Sequence, residues 1–184
     1  MLRVKIPNVT FRIRVGDEVE TDGGCAIGGV WINETTEDYF DNKRVVLFSL
    51  PGAFTPTCTS QQLPGYEKLY DSFKAYGIDE IYCVSVNDSF VMNAWACHEG
   101  IQKVKVLPDG SGLFTEGMGM LVKKDDKGFG ERSWRYAAIV DNGVVIKMFE
   151  EPGKEHDCAD DPYGESSPET VMNYLKMKNG DDLL

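Results

Sequence analysis

Long apolar runs are missing from this 184-residue chain. No stretch approaches the roughly 20 residues a membrane-spanning helix requires. The opening Met1-Leu-Arg-Val-Lys-Ile-Pro7 lacks the apolar core of a signal peptide and is too poor in Ser and Arg for a transit peptide. Basic charge is also short, since 19 Lys and Arg against 30 Asp and Glu leave a net charge of −11. Nucleic acid and anionic membrane both reward basic patches, so neither is expected as a main partner. Five cysteines, an odd number in a chain of this size, argue against a disulfide-stapled secreted domain and make a reducing cytoplasm the expected compartment. C-x-x-C around Cys58 is absent, because position 61 is Gln; this counts against disulfide-exchange chemistry by a paired dithiol there, as in a thioredoxin-like disulfide oxidoreductase. With no internal repeat, low-complexity tract or linker, residues 1–184 are expected to form one domain with a substantial core.

What is present centres on Pro51-Gly-Ala-Phe-Thr-Pro-Thr-Cys58. An apolar, β-branched run, Val45-Val-Leu-Phe-Ser-Leu50, precedes it, and a helical pattern with Leu63, Tyr66, Leu69, Tyr70 and Phe73 on one side follows. A strand therefore feeds a tight loop stiffened by Pro51 and Pro56, and the loop delivers one cysteine to a helix start. Unpaired N–H groups and the positive dipole end stabilise a thiolate there. Thr55, three residues before the cysteine, is placed for its hydroxyl to curl back toward the sulfur.

Downstream, the order reads strand (45–50), helix (58–76, ended by Gly77, bent at Pro64), strand (80–86), helix (89–99, capped by Asp88 or Ser89) and strand (103–107), which makes βαβ units on a largely parallel sheet. Asp109-Gly-Ser-Gly112 turns the chain into a short helical patch, and 123–131 reads as a loop rich in Lys, Asp and Gly. Asp141-Asn-Gly143 between Trp134–Val140 and Val144–Glu150 is a hairpin signal. Residues 151–166 read as an acidic loop, and Ser167-Pro168 starts a closing helix. Upstream, Val9–Val15 alternates as an exposed strand, Asp22-Gly-Gly24 and Gly28-Gly29 signal turns, and Thr35 or Thr36 caps a short helix. The pattern as a whole matches an α/β, thioredoxin-like fold: a central mixed sheet flanked by helices, with an N-terminal β extension.

Pro51-x-x-x-Thr55-x-x-Cys58 resembles the peroxidatic motif of the peroxiredoxins. The longer Leu50–Thr59 block, Val84-Ser-Val-Asn-Asp88 with Phe90–Trp95, Leu107-Pro-Asp-Gly110 and Arg132-Ser-Trp-Arg-Tyr136 are similar to the peroxiredoxin 5 (type II) subfamily. The resemblance implies a thiol-dependent peroxidase for hydrogen peroxide and organic hydroperoxides. It implies no metal, haem or flavin, and a homodimer whose interface lies near the active-site loops. It makes Cys58 the nucleophile, Arg135 the cation beside it, and Pro51 a shield; Thr55 and the Thr57 and Cys58 amides hold the peroxide. Arg132 is a weaker second cation, in an outer layer. A non-catalytic rival, a redox-sensing or interaction module on the same scaffold, predicts slow reaction of Cys58 with peroxide.

A sulfenic acid on Cys58 must be reduced. Cys83 sits where plant-type members of the subfamily carry a resolving cysteine, yet a mid-strand cysteine also serves as a small buried hydrophobe. Its sulfur reaches Cys58 only if the helix start unwinds. Cys158, in the acidic loop, is the alternative; surrounding carboxylates disfavour its thiolate. If neither resolves, glutathione, glutaredoxin or thioredoxin acts on Cys58 directly. The chain ends at Leu184 without the glutaredoxin-like extension of some relatives, so a glutaredoxin donor is expected to be a separate protein. Cys97 and His98, adjacent on a helix and about 100° apart, read as structural, and Cys25 as incidental. His156, Asp157 and Cys158 are too closely spaced for a metal set. Phe90, Met92 and Trp95 read as a core-facing helix side, with some of these aromatics, together with Phe54, open to a place in the interface that the resemblance implies.

Overall fold

The computed structural model describes residues 4–16 and 29–180. Cys25 and the turn signals at Asp22–Gly24 and Gly28 lie outside them. The chain opens with β1 (Val4–Lys5) and an antiparallel arm, β2 (Thr10–Val15) against β3 (Val30–Thr35), in register from Thr10–Thr35 to Val15–Val30. α1 (Thr36–Phe40) starts where Thr35 and Asp38 cap each other's backbone N–H groups, the reciprocal arrangement that satisfies two orphan donors.

Next come β4 (Arg44–Ser49), a π-helical turn (Cys58–Gln62), α2 (Leu63–Ala75), β5 (Glu80–Ser85), α3 (Ser89–His98) and β6 (Lys105–Pro108). Asp88 caps α3, accepting from the Val91 N–H at 3.0 Å. After α4 (Leu113–Gly117), the stretch expected to be a loop at 123–131 instead holds a small hairpin, β7 (Leu121–Lys123) with β8 (Glu131–Ser133), closed by a 3₁₀ turn at Asp125–Lys127. Its strands are only three residues long, too short for periodicity to register. β9 (Tyr136–Asp141) and β10 (Val144–Glu150) form the expected hairpin, with Asn142 and Gly143 both at positive φ, as a two-residue turn of this hand demands. α5 (Pro168–Asn179) closes the chain, capped by Ser167 with proline at its first position.

The six-stranded sheet runs β1-β10-β9-β4-β5-β6. It is parallel on the β4-β5-β6 side, as the βαβ pattern predicts, and antiparallel from β4 through β9 and β10 to β1. Alternation sorts the strands' side chains between two cores. Val46, Phe48, Ile81, Cys83, Ala137 and Ile139 face one core, with Tyr66, Phe73, Met92, Trp95 and Leu175 of the helices. Val45, Leu47, Tyr82, Val84, Ala138 and Val140 face the other, with Phe11, Phe40, Phe114 and Cys158. Among the described residues no helix is long and apolar enough to cross a membrane.

Candidate active site

Cys58 is completely buried and begins the π-helical turn. The N–H of Thr59 already donates to Thr55 O at 3.0 Å, so a helical turn starts at Thr55; Thr57 and Cys58 carry their N–H groups ahead of the first closed bond. The turn widens for a local reason. Pro64 has no N–H to give Ser60 and its ring crowds that carbonyl, so the chain instead closes from the Leu63 N–H to Cys58 O, five residues back.

The loop before it is tightly fixed. Thr55 donates its hydroxyl hydrogen to Gly52 O at 2.7 Å, not to the sulfur as the sequence reading placed it, and its oxygen keeps acceptor capacity. Asn87, two residues past the end of β5, accepts the Ala53 N–H at 3.0 Å and the Ser85 hydroxyl at 2.7 Å, tying the loop to the end of that strand. Gly52 leaves room for Arg132: a Cβ there would lie 2.9 Å from Arg132 Nη1 and would displace the end of that side chain. Pro51 is buried, and its carbonyl faces Arg132 Nη1 at 3.5 Å. Arg132, which burial alone pushes toward deprotonation, otherwise donates to Phe129 O and lies over the Phe129 ring. It therefore braces the loop from the Pro51 side.

Arg135 lies immediately before β9 and donates through Nη1 to Cys58 Sγ at 3.4 Å. The expected nucleophile and cation, 77 residues apart, are thus brought together. The same nitrogen meets Gln62 Oε1 at 2.5 Å, Nη2 meets Asp161 Oδ1 at 2.6 Å, and the guanidinium lies over Tyr163 at 5.7 Å. Burial works against the cation, but Cys58 and Asp161 outweigh it and the net direction is upward, so Arg135 stays charged. Tyr163 is pushed up to about 12 by burial first and Glu169 second, so it remains a neutral phenol beside the site.

Three members of this cluster were not picked out from the sequence. Gln62 stands one turn after Cys58, and i, i+4 spacing was the available signal. Asp161 and Tyr163 come from the acidic stretch, which composition makes look like a solvated loop. It is anchored instead by Glu151, a buried carboxylate that accepts from the Gly164 and Ser166 N–H groups and the Ser166 hydroxyl at 2.7–2.8 Å.

The other cysteines separate clearly. Cys83 is fully buried on the same side of the sheet as Cys58, and burial, with Cys58 adding to it, pushes its thiol well up. Cys158 is buried too, not displayed on a mobile loop, and it packs on the opposite face of the sheet. Lys127 donates to its backbone carbonyl at 3.1 Å. Neither is bonded to Cys58: all three are free thiols. Cys97, read from the sequence as structural, is held in a disulfide. His98 is exposed beside Glu99 and tilts against Phe54. His156 accepts the Lys123 N–H at 2.9 Å, and among the described residues no cluster has the makings of a metal site.

The Redoxin family matches residues 31–164. A Rhizobium etli protein named peroxiredoxin is 57% identical over 176 residues, covering 94% of each chain. The crystal structure of a Plasmodium falciparum antioxidant protein, a 1-Cys peroxiredoxin, superposes with a TM-score of 0.85 at 40% identity, covering 94% of this chain and 98% of that one. That of reduced Prx3 from Vibrio vulnificus in complex with hydrogen peroxide does so at 0.78 and 36% identity, covering 95% of each chain.

Proposed function

The chain belongs to the peroxiredoxin family and is a thiol-dependent peroxidase, and from that premise we propose that Cys58 is the sulfur that breaks the peroxide bond. The observation that carries this is the 3.4 Å contact between Arg135 Nη1 and Cys58 Sγ in a fully buried site. A guanidinium stays charged at any working pH, so it stabilises a thiolate without titrating. The thiolate attacks the near oxygen of the peroxide. An S–O bond forms, the O–O bond breaks, the sulfur is oxidised to a sulfenic acid, and the departing oxygen takes a proton and leaves as water or an alcohol. The Thr57 and Cys58 N–H groups donate to the peroxide oxygens, and the Thr55 oxygen accepts from the peroxide's own hydroxyl. Pro51 closes the site from the loop side. Hydrogen peroxide, the molecule bound in the Vibrio structure, is the expected substrate beside organic hydroperoxides.

The sulfenic acid is reduced by an incoming thiol, from glutaredoxin with glutathione or from thioredoxin, without a second cysteine of this chain. Two observations favour this over an internal resolving step. Cys83 lies mid-strand with its thiol held protonated by burial, and Cys158 is across the sheet. The test is one equivalent of peroxide, a sulfenic-acid trap, and mass-spectrometric mapping of every cysteine. The trap is expected on Cys58 with no new disulfide. A Cys58–Cys83 link would overturn the external route, and a trap only on another cysteine would overturn the nucleophile.

The chain forms a homodimer through the surface beside the active-site loop. Phe90, expected in the core, is 43% exposed, whereas Met92 and Trp95 from the same helix are buried. Phe90 meets the exposed Trp31 edge-on at 5.5 Å, with Arg14 over both rings, and Phe54 is 52% exposed nearby in sequence to the nucleophile. An exposed aromatic pair of this kind marks an interaction site. In sedimentation at micromolar concentration the native chain should run as a dimer and Phe90→Glu as a monomer. Equal sedimentation of the two would remove Phe90 from the interface.

A further inference from the structure

We propose that Asp161 is a positioning residue of the peroxidase reaction, setting how much of the Arg135 charge the Cys58 sulfur receives. The inference rests on the roles of Cys58 and Arg135 given above. One guanidinium here serves two anions, the Cys58 thiolate at Nη1 and the Asp161 carboxylate at Nη2, 3.4 Å and 2.6 Å away. Their surroundings differ. The sulfur is fully buried and the arginine side chain only 2% exposed, while the Asp161 side chain is 43% exposed. Solvent screens the carboxylate in part, so it draws on the cation without capturing it.

Two features make the arrangement a balance and not a passing surface contact. The loop bearing Asp161 is fastened to the element bearing Arg135: the Glu151 N–H donates to Arg135 O at 3.2 Å, and the Glu151 carboxylate holds the backbone at 164–166. In addition, Gln62 grips Nη1 from the other side at 2.5 Å. Arg135 therefore keeps its place against the sulfur when the Asp161 charge is removed. Removing that charge leaves more of the guanidinium field for the thiolate. A residue that merely held the loop would have no such effect on the sulfur. The other titratable and charged groups facing Cys58 are Arg135 itself, Cys83 from β5 and Tyr163 from the loop, with Glu151 and Glu169 behind Tyr163.

The experiment measures iodoacetamide alkylation of Cys58, followed by mass spectrometry, across a pH series for the full chain and for Asp161→Asn and Asp161→Glu. The Asn variant should show its alkylation midpoint lowered by about 0.5–1 pH unit, making it about three- to tenfold faster below the midpoint. The Glu variant should return toward the native profile, and thermal melting of both should stay close to native. A midpoint that does not move, or that rises, overturns the proposal; so does a Glu variant that behaves like Asn. Alkylation needs no peroxide, so this result stands apart from the identity of the peroxidatic sulfur, which peroxide turnover by a Cys58→Ser chain tests separately.

Discussion

Replacing Cys58 with serine should lower peroxide turnover by about 10⁴-fold or more while leaving the fold intact. An alcohol at neutral pH is not a nucleophile of consequence, and the one carboxylate of the cluster, Asp161, is engaged by Arg135 Nη2 and not by position 58, whose partner is the Arg135 cation. The substitution changes one atom in a closed space, and Arg135 Nη1 can donate to the new oxygen as it does to the sulfur, so the buried hydroxyl is not left unpaired. Steady-state peroxide consumption with each thiol donor, beside a circular-dichroism melt, checks the prediction. Turnover within tenfold of native with any donor would place the reacting sulfur elsewhere in the chain.

Arg135→Met is the second large effect, and it separates reactivity from stability. Met fills much of the arginine's volume and suits the apolar side of the site. Exchanging a buried charge for an apolar side chain of similar size is often close to neutral for folding. Asp161, left without its partner, is exposed enough to be solvated. The thiolate, in contrast, loses the cation that compensates it in a site without solvent. The second-order rate constant with hydrogen peroxide should fall by about 10²–10³-fold, the size seen when one fixed donor is taken from a developing or resident anion. Arg135→Lys should recover little of this, because an ammonium group is a point charge and cannot reach Cys58, Gln62 and Asp161 together. Stopped-flow tryptophan fluorescence, with the buried Trp95 and Trp134 as reporters, measures both variants. A rate constant for the Met variant within threefold of native would remove Arg135 from the chemistry.

The parts of this molecule that sequence made legible are those in which one residue type answers one local demand. Asn142-Gly143 supplies two positive φ values in a row, and the hairpin follows. Thr35 and Asp38 cap a helix, as do Asp88 and Ser167. The proline-bounded loop ending at Cys58 announces both a strand-to-helix corner and its chemistry. What stayed hidden depends on where distant segments meet. Arg135 could be assigned to Cys58 only through resemblance, since spacing along a chain says nothing of a contact across 77 positions. Asp161 sits in a stretch whose acidity reads as solvation, and its significance arises from the buried Glu151 that fixes the loop. Phe90 stands two and five positions before Met92 and Trp95, about 140–160° around an α-helix from either, so the three do not share a side and Phe90 faces outward while the buried stripe runs Ser89, Met92, Trp95. Cys158 was hidden as Asp161 was, since its face of the sheet is set by packing that no local pattern encodes.

The turn that begins at Cys58 has a bearing on how a reducing thiol reaches a sulfur with no exposed surface. Its closing bond spans five residues where the helix behind it spans four, and Pro64 marks the boundary between the two windings. Beyond that boundary α2 is fixed by Tyr66 and Phe73, both fully enclosed. The chain is therefore divided, at a single peptide unit, into a loosely wound lip and a firmly wound stem. Presenting the oxidised sulfur outward means peeling back the lip alone, and the proline ensures that the fray stops where the stem begins.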